Sequence, residues 1–132
     1  MKVPVTHLNL IIAWLWVILG FASGFALGLG FHDEKWLGGY ASHKRRLYRL
    51  GHISFFGLAL MNLMFYFTVR SFPAHSSLAI TVAGWGFIGG AVSMPICCLI
   101  MAHQPKSRAL FLIPVLSLIT AGAFTLWEVI KL

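Results

Sequence analysis

Two histidines, His52 and His103, stand at the ends of long apolar runs, and a facing pair of helices that each offer one imidazole can supply both axial ligands of a b-type haem. Arg45, Arg46, Arg49, Lys106 and Arg108 cluster in the same parts of the chain and suit compensation of haem propionates. His52 and His103 are therefore the candidate metal ligands, and the five cations the candidate cofactor-binding groups, for haem b. The competing explanation is interfacial: histidines at span ends often simply meet the headgroups, and six histidines in 132 residues make coincidence at one depth easy. His32 and His43 add imidazoles near the same surface, whereas His7 and His75 belong to the opposite one.

A second metal chemistry is readable in Met94-Pro95-Ile96-Cys97-Cys98-Leu99-Ile100-Met101. At ~100° per residue Met94, Cys97 and Met101 project within about 60° of one another, and soft sulfur ligands of this kind suit Cu(I). Met61 and Met64 lie on the face away from His52, so one ligand set does not easily join both stripes. Methionine and cysteine are also ordinary fillers of apolar interfaces, which makes copper the lesser alternative. Cys97 and Cys98 are adjacent, where helix geometry points them apart and strains any bridge between them.

The second apolar run carries His52, Phe55, Ala59, Asn62, Tyr66 and Arg70 within ~80° of one another. Asn62 falls near mid-membrane, where an unpaired amide is costly, so it is expected to bond another helix or an internal water. Arg70 and Glu128 are expected at one surface, either paired or snorkelling separately into headgroups. Asn62, Tyr66, Arg70 and Glu128 form the expected structural polar set. The acids are only Asp33, Glu34 and Glu128, and the first two neutralise a basic connection. No independent catalytic constellation is visible, and no central acid pair supports transport.

These groups must be positioned by helices. With 59% hydrophobic residues, 10% charged residues and a mean hydropathy of +0.86, the chain lacks the polar surface to coat a water-soluble globule. Charge-free stretches of 24, 20, 27 and 19 residues run from Leu8 to Phe31, between Arg49 and Arg70, from Ser76 to Ala102 and from Ala109 to Trp127. Each is long enough to cross roughly 30 Å of hydrocarbon. The expected fold is an all-α membrane protein: a four-transmembrane-helix antiparallel bundle, one domain over residues 1–132, with spans near 7–31, 50–70, 76–102 and 108–131. Pro73 and Pro105 mark two of the breaks, and Pro95 should kink the third span locally. Lys2 ahead of an apolar run resembles a signal peptide, but the run continues to Phe31, so it reads as a retained first span.

The first and third connections hold Lys35, Lys44, Arg45, Arg46, Arg49, Lys106 and Arg108, against Lys2, Arg70 and Lys131 on the other side. That bias puts both termini on the non-cytoplasmic side, in a bacterial-type inner membrane or its equivalent. The reverse orientation would rest on Lys2 and the free amine dominating the first span. The net charge of +7 is then matched by anionic lipid headgroups rather than nucleic acid, because no basic stripe alternates with aromatics.

Small residues supply close helix contacts where lipid removes the hydrophobic drive. The first span aligns Ala13, Gly20, Gly24 and Gly28, and the third gathers Gly86, Gly89, Gly90, Ser93 and Cys97. The fourth turns Pro114, Ser117, Ala121, Thr125 and Glu128 to one side. Together these features lead to the expectation of a small, noncatalytic membrane subunit that packs against larger membrane proteins or copies of itself, within an electron-transfer assembly. The alternative is a b-type haem electron-transfer protein ligated by His52 and His103.

Overall fold

An apolar run with no water to serve its N–H and C=O groups must satisfy them within itself, and the helix is the one local structure that does so. The computed structural model, which describes residues 4–72 and 77–132, is helical accordingly. Its long elements are α1 (Val5–Gly30), α2 (His43–Arg70), α3 (Leu78–His103) and α4 (Leu112–Ile130). Short 3-10 segments at Trp36–Gly38 and Pro105–Phe111 lie in the first and third connections. All four helices, the last counted with its 3-10 lead-in, are long and apolar enough to cross a membrane.

The starts of α2 and α3 are set by serine caps. Ser42 Oγ accepts from Arg45 N and Ser77 Oγ accepts from Ile80 N, each at 3.1 Å, giving the orphan donors of α2 and α3 a partner. The Ser42 cap places the start of α2 at His43, well ahead of the residue-50 boundary read from the charges. Lys44, Arg45, Arg46 and Arg49 are thus helical rather than part of a loop. At the other end, the fourth apolar helix begins as a 3-10 stretch because Pro105 opens it and Ser107, at φ −89° and ψ 21°, departs from helical geometry. Pro73, His75 and Ser76 lie outside the described residues, as does Lys2.

The helices are not arranged as four equal corners. α2 packs along both α1 and α3, α1 reaches α3 over a shorter seam, and α4 packs chiefly on α3. One apolar core gathers Trp16, Leu58, Ala59 and Ala91, and another gathers Phe65, Ile80, Ala83, Phe87 and Ala121, with Leu118 of α4 packed against both.

The glycines decide which surfaces approach. A Cβ at Gly20 would fall 2.7 Å from the Phe56 ring, and one at Gly24 would fall 2.8 Å from His52 Cε1, so the α1 glycine face accepts two rings from α2. Gly86 instead meets α4, with Ala121 Cβ and Ser117 O at 2.9 and 3.0 Å from such a Cβ, and Gly89 meets Ser117 Oγ. The side chain of Leu118 covers Gly90, Ser93 bonds back to Gly89 O within α3, and nothing lies within 4 Å of the Cβ position at Gly28. The two glycine faces therefore serve different seams.

Pro95 sits inside α3 without an N–H, so the carbonyl four residues earlier, that of Ala91, loses its ordinary helical donor. The indole of Trp16 on α1 supplies the missing bond, Nε1 to Ala91 O at 3.0 Å, in a buried setting. Trp16→Phe is expected to cost about 1–3 kcal/mol in the midpoint of denaturation in mixed micelles, because it strands a buried carbonyl. Pro95→Ala should recover part of that loss by restoring the N–H; a Trp16→Phe protein as stable as the parent would disprove this division of labour.

Candidate functional site

At the end of the bundle that carries the basic connections, α2 presents Tyr48 and His52 one turn apart, on one face. His52 Nδ1 lies 2.9 Å from Ser23 Oγ of α1, and the same oxygen is 3.0 Å from Gly20 O. The contact to Gly20 O is the back-bonded arrangement of serine in helices. A hydroxyl has one proton, so Ser23 can donate to Gly20 O or to His52 Nδ1, and the tautomer of the imidazole decides which. Nε2 has no hydrogen-bond partner among the described residues. Gly24 makes this geometry accessible, because any larger residue would collide with the ring.

Tyr48 reaches the other way. Its hydroxyl is 2.8 Å from His103 Nε2 at the end of α3, with the two rings edge-on at 6.0 Å between centroids. His52 and His103 thus share one end of the bundle but sit in separate hydrogen-bonded pairs, one with Ser23 and one with Tyr48. Between the helices lies a cavity of about 300 Å³ lined by Ser23, Ala26, Leu27, Tyr48, Gly51, His52, Phe55, Pro95 and Leu99. Its walls are apolar apart from the serine, tyrosine and histidine.

The cations divide into classes. Arg45 is buried, its guanidinium 5.2, 5.7 and 5.7 Å from the ring centroids of Phe31, Trp36 and Tyr40, and its Nε has no hydrogen-bond partner among the described residues. Arg49 stands 4.3 Å over Tyr40. Ring faces stabilise both charges. The loop that delivers these rings turns through Leu37, Gly38 and Gly39, all at positive φ, and Ser42 Oγ donates to Leu37 O at 2.6 Å to hold it. Arg46, Lys106 and Arg108 are exposed.

Deeper in the bundle the polar groups tie helices together. Asn62 on α2 and Asn9 on α1 are both fully buried, and Asn9 Nδ2 donates to Asn62 Oδ1 at 2.7 Å and to Gly84 O of α3 at 3.0 Å. Asn62 Nδ2 donates to Leu58 O at 2.8 Å and reaches Phe87 O at 3.4 Å. Asn9 had no place among the sequence candidates, although its spacing with Ala13, Trp16 and Gly20 puts it on the buried stripe of α1. Ser23 and Tyr48 were missed too; each lies one turn or less from a residue already singled out, Gly24 and His52.

Arg70 Nη1 donates to Tyr66 OH at 2.9 Å and stacks on that ring, while the one ion pair among the described residues joins Lys131 to Glu128 at 3.0 Å. Of the two arrangements expected for Arg70 and Glu128, the described residues show each bonded to a residue of its own helix and no bond between the two. In the sulfur stripe, Met94 packs against the core around Trp16, whereas Cys97 Sγ points toward Leu110 O at 3.4 Å. Among the described residues no three His, Cys, Asp or Glu side chains gather as metal ligands. Compared with known protein families, curated proteins and solved structures, the chain matches none.

Proposed function

We propose that this chain is a small, noncatalytic integral-membrane subunit of a larger electron-transfer complex. The observation that carries the reading is how the interior polar groups are used. Asn9, Asn62 and Trp16 bind α1, α2 and α3 into one unit through hydrogen bonds between helices. The α4 helix leans on one side of that unit and turns Ile113, Leu116, Ile119, Leu126 and Trp127 outward. A rigid three-helix plate with a long apolar face on its fourth helix is suited to holding neighbours in a bilayer rather than to reacting with solutes.

The test is extraction in a polymer that keeps native lipid around the protein. Stoichiometric co-purification of larger membrane chains, or of further copies of this one, is the expected result; a solitary 14.6 kDa polypeptide in the lipid particle would refute it. A second reading, haem b held by His52 and His103, draws on Ser23, because a hydrogen bond to Nδ1 is what orients a histidine that ligates through Nε2. It requires the His103–Tyr48 bond to open. A reduced-minus-oxidised spectrum of the same particles decides it: a haem band lost on replacing either histidine supports ligation, and a colourless sample removes it.

A further inference from the structure

We infer that Arg45 and Arg49 form a discrete binding site for the phosphate of one anionic phospholipid, at the end of the bundle that carries the basic connections. The inference goes beyond the role as a subunit and shares with it only the integral-membrane reading. It also differs from the diffuse pull that a net charge of +7 exerts on any anionic surface, because it names two side chains and one headgroup.

The first observation is a buried cation that lacks an anion. Arg45 is only 5% exposed, and among the described residues no acceptor meets its guanidinium N–H groups and no carboxylate pairs with it. Phe31, Trp36 and Tyr40 surround it, but a ring face stabilises charge without supplying the lone pairs that N–H groups need. The acids of the same connection do not answer it: Asp33 and Glu34 are exposed, and Asp33 Oδ1 accepts from Lys35 N of its own loop at 2.9 Å. A charge this deeply buried is costly without a counter-ion, so an anion from outside the chain is the missing partner.

The second observation is where that charge opens. Of the three guanidinium nitrogens only Nε is sealed from the surface, which leaves Nη1 and Nη2 as a fork of donors that matches two oxygens of a phosphate. Arg49, one turn further along α2 and partly exposed, stands 4.3 Å from the centroid of the same Tyr40 ring that Arg45 faces at 5.7 Å. Like charges one turn apart on a helix repel, and an anion shared by the two converts that repulsion into attraction.

The third observation identifies what carries the phosphate. The site lies where two long apolar helices meet their connection, and Phe31 and Tyr40 there are 47% and 70% exposed, the placement of aromatic side chains at the headgroup level of a bilayer. Lys44 and Arg46 flank Arg45 in the chain, so the ammonium of a zwitterionic headgroup would be repelled. The headgroup that fits is anionic.

The experiment titrates the full chain in uncharged detergent micelles with dioleoyl phosphatidylglycerol, dioleoyl phosphatidylcholine and inorganic phosphate, and counts bound lipid by native mass spectrometry. Phosphatidylglycerol should bind as one lipid per chain and at least about tenfold more tightly than phosphatidylcholine, since two basic side chains bear on one headgroup. Arg49→Gln should weaken that binding about fivefold, whereas Lys35→Gln, which removes the same charge from an exposed position at the same end, should change it by less than about twofold. Arg45→Lys keeps the charge but not the fork and should also weaken binding. The comparison of the two lipids on the unaltered chain needs no variant to fold. Equal affinity for both lipids, or equal losses in Arg49→Gln and Lys35→Gln, would overturn the site in favour of diffuse charge. Displacement of the lipid by inorganic phosphate would overturn the lipid as occupant and assign the fork to free phosphate. A chain that fails these tests yet co-purifies with larger subunits loses the headgroup site and keeps its role as a subunit.

Discussion

Gly86→Ala should loosen α4 from α3 far more than the same change at any other glycine of that seam. The added methyl would meet Ala121 Cβ at 2.9 Å and the Ser117 carbonyl at 3.0 Å, and neither is a flexible chain end that can swing aside. Ser117 Oγ also donates to Gly86 O at 2.7 Å, so backing the helices apart stretches that bond as well. Forcing an extra carbon into a fitted seam costs about 1–3 kcal/mol, which sets the expected loss in a mixed-micelle unfolding midpoint. Gly90→Ala meets the Leu118 side chain, which has other rotamers, and should cost less. Gly57→Ala is the control: nothing lies within 4 Å of its Cβ position, and alanine's better helix propensity favours it by about 0.5–1 kcal/mol. If Gly86→Ala and Gly57→Ala behave alike, close backbone approach is not what fastens α4.

The contrast among these glycines shows how far the amino-acid order speaks for itself. Periodicity identifies the small faces of α1 and α3, because a stripe at helical spacing is a property of one helix. Which neighbour fills each stripe depends on the register of two helices, and there the rings of Phe56 and His52 claim Gly20 and Gly24 while Ser117 and Ala121 claim Gly86. The same limit governs the ends of elements. Charge-free length marks the four long apolar helices, but charge counting places the start of α2 too late, since a capped helix carries Lys44 to Arg49 as readily as a loop does.

The candidate site divides along the same line. Short connections make α2 and α3 antiparallel, and this alone brings His52 and His103 to a common end. That each imidazole would find a different hydroxyl, Ser23 or Tyr48, turns on side-chain directions that no one-dimensional pattern contains. Arg70 illustrates the pull of proximity: Tyr66 lies one turn away on the same helix, so that geometry is present as soon as the helix forms. A cross-helix pair has to wait for packing.

Asn62 is the residue for which burial and chemistry together demand a partner, and its pairing with Asn9 makes a sharp quantitative expectation. Either Asn9→Leu or Asn62→Leu removes one half of a 2.7 Å bond between fully buried amides and leaves the other amide in an apolar interior. Stranding a buried polar group costs about 1–3 kcal/mol, while replacing both partners by apolar groups avoids most of that penalty. The double variant should therefore be less destabilised than the sum of the two single ones. Couplings of this kind between membrane helices average about 0.6 kcal/mol and reach about 1.7. The Asn9–Asn62 pair belongs toward the upper value, because each amide also holds a backbone carbonyl of α3, so its loss disturbs three helices at once. A Leu at position 9 additionally presses on Gly84, whose Cβ position already lies 3.1 Å from Asn9 Oδ1, and an Asn→Ala cycle run in parallel separates that crowding from the lost bond. Strict additivity in both cycles would mean that the two amides contribute independently, and the three-helix unit would then owe its cohesion to glycine and aromatic packing alone.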